Sequence, residues 1–173
     1  MLNLPLLSLL IFIPMIGTVF IAFLAKGSHQ QTVDNSLAVA LWVSLVNFFL
    51  SLVLTFHFDP NQAGYQFEEK LNWLPQLNIS YHVGIDGISL PLIVLNCLLA
   101  ILALLYVKKS VKERVKEFVI LFLLMQSFII GSFCALDLIL FYFFFEVMLI
   151  PMFIVIGIYG GKYRLYASFK FFL

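Results

Sequence analysis

The sequence predicts an all-α integral membrane protein with five transmembrane helices and the start of a sixth. Two observations carry this. Hydrophobic residues make up 63% of the chain and charged ones 11%, against about 45–50% and about 25% in soluble domains; that is too little charge to cover a soluble surface. The apolar residues also gather into runs close to the ~20 residues a helix needs to cross a bilayer. Backbone groups in hydrocarbon must be satisfied within the segment, which selects helices over strands. The net charge of +1 gives no basic field for nucleic acid.

Each span follows in order from 1 to 173, read as a single membrane domain. Residues 1–25 hold no ionisable side chain, so a first span is expected over about 2–25, locally bent at Pro14. This run lacks the basic start and short apolar core of a secretory signal, and is read as a retained helix. Three further uncharged runs predict spans over about 35–56, 87–107 and 118–136. The fifth, over 138–158, has one ionisable side chain, Glu146. Only Ala135–Asp137 separates it from the fourth, so the two form an antiparallel pair. A sixth span begins at about 166 in "YASFKFFL" and breaks off, as expected of a fragment or of one piece of a split protein.

The cations sort by connection. Lys26 lies between spans one and two, while Lys108, Lys109, Lys112, Arg114 and Lys116 lie between three and four. Lys162, Arg164 and Lys170 follow span five. The other side holds only Lys70, beside Asp59, Glu68 and Glu69. The positive-inside bias therefore places the N-terminus outside and the basic links on the cytoplasmic or equivalent side. The link between spans three and four reads as a topology determinant and lipid-facing patch.

The outer loop spans 57–86. In it, "LNISYHV" alternates Leu77, Ile79, Tyr81 and Val83, predicting a short extended stretch against neighbouring protein. Tyr65, Trp73 and Tyr81 are residue types that settle at a membrane boundary. Cys97 and Cys134 fall inside apolar runs and read as packing residues. His29, His57 and His82 show no ligand spacing, so no metal is expected.

Glu146 needs a reason, because an acidic side chain at mid-span costs about 2.5–3.5 kcal/mol on insertion scales. A low dielectric favours the neutral carboxyl and a nearby cation favours the charged one. A carboxyl there can carry a proton between two such states. Pro151 cannot donate to the Val147 carbonyl, and the freed oxygen beside Glu146 offers a foothold for water. Tyr142 and Ile150 share the Glu146 face, and Gln126 on span four is expected to reach the same region. The plainer alternative is a protonated glutamate that holds two helices together by a hydrogen bond. Asp137 reads as a helix cap, and Asp86, between Gly84 and Gly87, reads as a cap or turn residue.

Two stretches carry a family resemblance: "GIDGISLPLIVLNCLL" (84–99) and "LFYFFFEVMLIPMFIVIGIYGGKYRLYASFKFFL" (140–173). With them, the sequence resembles the N-terminal part of the antiporter-like M chains of NADH–quinone oxidoreductase, respiratory complex I (chain 4 in mitochondria). The second stretch, with its Phe-rich Glu-x₄-Pro and following Gly-Gly-Lys-x-Arg, is the specific one. The resemblance implies the opening portion of an antiporter-like inverted-repeat fold. It implies a subunit that couples electron transfer from NADH to quinone with proton translocation, in a bacterial plasma membrane or a mitochondrial inner membrane. It also implies that Glu146 is a proton relay, paired in the family with a lysine on a later helix. No cofactor is expected on this chain, since NADH, flavin, iron–sulfur clusters and quinone belong to partner subunits. The expected partners are other membrane subunits and the bilayer.

The later-helix lysine and second repeat are absent from these 173 residues, and Lys170 lies at the cytoplasmic end of span six, away from Glu146. The 173 residues alone are therefore expected to conduct no protons. Glu146-dependent pH equilibration in vesicles would contradict that. A cation/proton antiporter or membrane-bound hydrogenase subunit is an alternative, distinguished by gene neighbours. An inactive truncated helix bundle with an assembly role is another, distinguished by Glu146→Gln.

Overall fold

The fold is described from a computed structural model over residues 5–24, 28–74, 76 and 79–173. The expected first residues of span one, the end of that span at residue 25, Lys26 and Leu77 lie outside the described residues. Among the described residues six helices follow in order: α1 (Leu6–Leu24), α2 (His29–His57), α3 (Ser89–Ser110), α4 (Val115–Cys134), α5 (Leu138–Tyr159) and α6 (Arg164–Phe172). The first five are each long and apolar enough to cross a membrane, and the chain is a multi-pass membrane protein.

Helix α4 sits at the centre and packs against α1, α2, α3 and α5. Helix α6 lies on α5. Lipid tails are as apolar as leucine, so polar side chains help hold helices together inside a membrane. Asn47 on α2 donates through Nδ2 to the Leu10 carbonyl of α1 at 3.0 Å. Ser127 on α4 donates to the neighbouring Ile11 carbonyl. Ser44, Asn47 and Ser51 are all fully buried along one face of α2.

Two departures from the sequence reading have local causes. Helix α2 begins at His29, ahead of the uncharged run, because Ser28 and Gln31 form a reciprocal capping box. Asp34 then remains helical and meets Lys108 of α3 at 2.8 Å. The outer loop holds a two-stranded antiparallel hairpin, β1 (Gln66–Leu74) and β2 (Ile79–Ile85), of which only the second strand was expected as extended. β2 carries on into the corner between α4 and α5: Leu136 N donates to His82 O at 2.9 Å, and Val83 bridges Ala135. Val83 and Ile85 are fully buried in a core cluster with Leu7, Leu10 and Ile11 of α1. Cys97 and Cys134 lie in the same cluster, unbridged.

The hairpin marks one end of the bundle and the basic links mark the other. At the basic end Lys116 Nζ donates to Ala22 O at 3.0 Å. The Tyr159 hydroxyl there donates to the Arg114 carbonyl at 2.8 Å. At this end polar contacts tie α1 to α4, α4 to α5 and, separately, α2 to α3.

Candidate functional site

Helix α5 positions Glu146, and its faces are set by what they pack against. Leu140, Phe144 and Pro151 are the buried residues of α5. Phe144 lies over Gly131 of α4, where an added Cβ would sit 2.7 Å from the ring. The glycine thus makes the close approach of α4 and α5 possible. Asp137 fixes the helix start: its Oδ1 accepts from the backbone amides of Ile139 and Leu140 at 2.9 and 3.2 Å. Its Oδ2 also accepts from Ser80 N at 3.4 Å, tying the hairpin to the corner. Asp86 holds the turn that leads into α3, accepting from Ser89 N at 2.7 Å and Ile88 N at 3.1 Å.

Glu146 is half-buried. It stands two residues after Phe144, about 200° further round the helix, so it points away from α4. This corrects the expected approach of Gln126. Gln126 is 2% exposed and turned to the other side of α4, where its Oε1 accepts from Ser44 Oγ of α2 at 3.2 Å. The two residues are not brought together.

Tyr142, one turn before Glu146, lies on the same side of α5 and close to its carboxyl. Tyr142 and Ile150 are 61% and 51% exposed, so this face of α5 is open on either side of the acid. Only 17% of α5 is buried, against 33–44% of the other four spans. This face is left open to lipid or to other protein.

The neighbour of the Glu146 stripe is α6. Phe153, seven residues on and within about 20° of the same line, packs against Phe169 and Phe172 at 5.4 Å each. Gly157, a further turn along, lies under Ser168. Phe153 is about 10 Å along the helix axis from Glu146. Among the described residues no ion pair reaches the carboxyl, and the Lys170 ammonium lies 6.0 Å from the centre of its own helix's Tyr166 ring. Glu146 and Gln126 stand out in the sequence, but the other members of the polar seam, Ser44, Asn47, Ser51 and Asn96, do not. Their signal was available, as polar residues interrupting apolar runs.

Residues 135–173 match the family described as "NADH:quinone oxidoreductase/Mrp antiporter, TM". The chain resembles NADH-quinone oxidoreductase subunit M of Rhodobacter capsulatus, 44% identical over 168 residues, covering 97% of this chain and 32% of that protein. It also resembles subunit M of Rickettsia conorii, 40% identical over 174 residues, covering 100% of this chain and 35% of the relative. Among solved structures, respiratory complex I from Thermus thermophilus with bound NADH contains a chain that superposes with a TM-score of 0.76. That match is 26% identical and covers 95% of this chain and 31% of the other. The chain spans about a third of the length of the curated relatives it matches.

Proposed function

We propose that this chain, which resembles subunit M of NADH-quinone oxidoreductase along its whole length, is part of a membrane subunit of such a complex. In this reading it helps couple electron transfer from NADH to quinone with proton movement, and Glu146 carries the proton. The supporting observation is a carboxyl at mid-span, half-buried, on the sparsely covered face of α5 and without a cationic partner among the described residues. An ionisable residue inside a membrane is costly, and such residues mark ion paths. The face it occupies is the one α6 covers further along, so a cation on an adjoining element of the assembly has access to it. Redox chemistry belongs to partner subunits, and the partners of this chain are other membrane subunits.

The test is Glu146→Gln in the assembled complex. Glutamine keeps the volume and a hydrogen bond but cannot ionise. The expected result is loss of most NADH-driven proton pumping with the assembly intact; undiminished pumping would leave Glu146 a structural residue. A second reading, a cation/proton antiporter subunit, rests on the family description, which names both kinds of protein. It requires a sodium gradient, in place of NADH, to drive Glu146-dependent proton movement.

A further inference from the structure

The seam between α3 and α4 leaves two buried side-chain donors without acceptors. Gln126 Oε1 accepts from Ser44, but its Nε2 has no hydrogen-bond partner among the described residues, and neither has Asn96 Nδ2. The Cys97 thiol lies beside Gln126 without completing a bond to it, as suits a weak sulfur acceptor. Asn96 and Gln126 both lie along one cavity of about 200 Å3. Its other walls are apolar and come from matched stripes, including Ala100 and Ala103 on α3 and Phe122 and Ile129 on α4.

The chemistry of the two donors narrows the occupant. Two N–H donors repel a cation, and an acyl chain offers no acceptor to either of them. The cavity shares Ala103 and Phe122 with a larger one of about 600 Å3. That larger space is lined by Lys112, Glu113 and Arg114 at the basic end, where the membrane meets water. Water accepts hydrogen bonds from both amides, and at about 30 Å3 per molecule several fit the space. We propose that water enters the α3–α4 seam from the basic link and is held at mid-span by the Asn96 and Gln126 amides. This recess lies on the far side of α4 from Glu146.

Thiol accessibility tests the inference in the membranes where the protein is assembled, with Cys97 and Cys134 replaced by alanine. Ala103→Cys and Ala100→Cys place thiols along the recess, and Leu102→Cys, at a position 53% exposed on the outer side of α3, is the control. The cysteine thiolate, which forms only where water reaches, attacks the sulfur of aminoethyl methanethiosulfonate and releases methanesulfinate, so both recess positions should react at least about tenfold faster than the control. Asn96→Leu combined with Gln126→Leu should slow Ala100→Cys and leave Ala103→Cys fast. Reaction of Ala100→Cys at the control rate overturns the proposal, whether or not Ala103→Cys is fast. A high-resolution map of the unaltered assembly gives a reading that needs no variant. Ordered water between the two amides supports the inference, and a partner side chain, a lipid chain or no density there overturns it.

Discussion

Glu69 of β1 accepts hydrogen bonds from both the backbone amide and the hydroxyl of Ser8, at the start of α1. The Leu7 amide donates to the same carboxylate at 2.8 Å, and the Tyr81 hydroxyl of β2 lies 2.8 Å from Ser8 Oγ. The first turn of a helix has free N–H groups and a positive dipole end, and a carboxylate satisfies both. The hairpin therefore caps a helix distant in sequence, and this fixes it to the bundle. Glu69→Ala is expected to cost about 1.5–3 kcal/mol, the range for hydrogen bonds to a charged group. Thermal unfolding in detergent reads the loss, and hydrogen exchange at Leu7 and Ser8 should accelerate.

The α4–α5 corner should respond to acid through Asp137. Burial acts to raise the pKa of this carboxyl, but the amides of Leu140, Ser80 and Ile139 together outweigh it and hold the group below its ordinary value. A lowered folded-state pKa gives stability that is present above the unfolded value and lost as pH falls through the folded one. Protection of the Ile139 and Leu140 amides should therefore hold from neutral pH down to about pH 4 and fall below it. Asp137→Asn should flatten that dependence, and Asp137→Ala should cost about 0.5–2 kcal/mol as a lost cap.

Gly131 should not tolerate a side chain. A Cβ there would lie 2.7–2.8 Å from the Phe144 ring, and overpacking of this kind typically costs about 1–3 kcal/mol. Gly131→Ala is expected to lower the unfolding temperature. Gly131→Ala combined with Phe144→Leu should recover part of the loss, which a double-mutant cycle measures.

Tyr142→Phe removes the hydroxyl that lies close to the Glu146 carboxyl, one turn away. At a position 61% exposed, the change should leave stability nearly unaltered. Proton pumping by the assembly should fall, but less than with Glu146→Gln.

How much the sequence disclosed differs from place to place, for physical reasons. The five spans were legible because uncharged length alone identifies them. The start of α2 was not, although Ser28-x-x-Gln31 is a visible capping signal, since Asp34 interrupts the apolar run. β1 escaped because "QFEEKLNWL" mixes charges with apolar residues and contains a register shift between Gln66 and Glu69. The turn at Asp86 and the cap at Asp137 were legible because both are local. Glu146 stood out as a lone acid, but its neighbours did not: which helix lies on which face depends on tertiary packing. Gln126 therefore belongs to Ser44 and the α3–α4 seam.

The central claim is that Glu146 gains and loses a proton during turnover, and infrared difference spectroscopy of the intact assembly tests it directly. The expected result is a carboxyl C=O band that appears and disappears on NADH addition and quinone exhaustion, and is absent in Glu146→Gln. An unchanged spectrum through turnover, identical in the wild type and Glu146→Gln, would contradict the account.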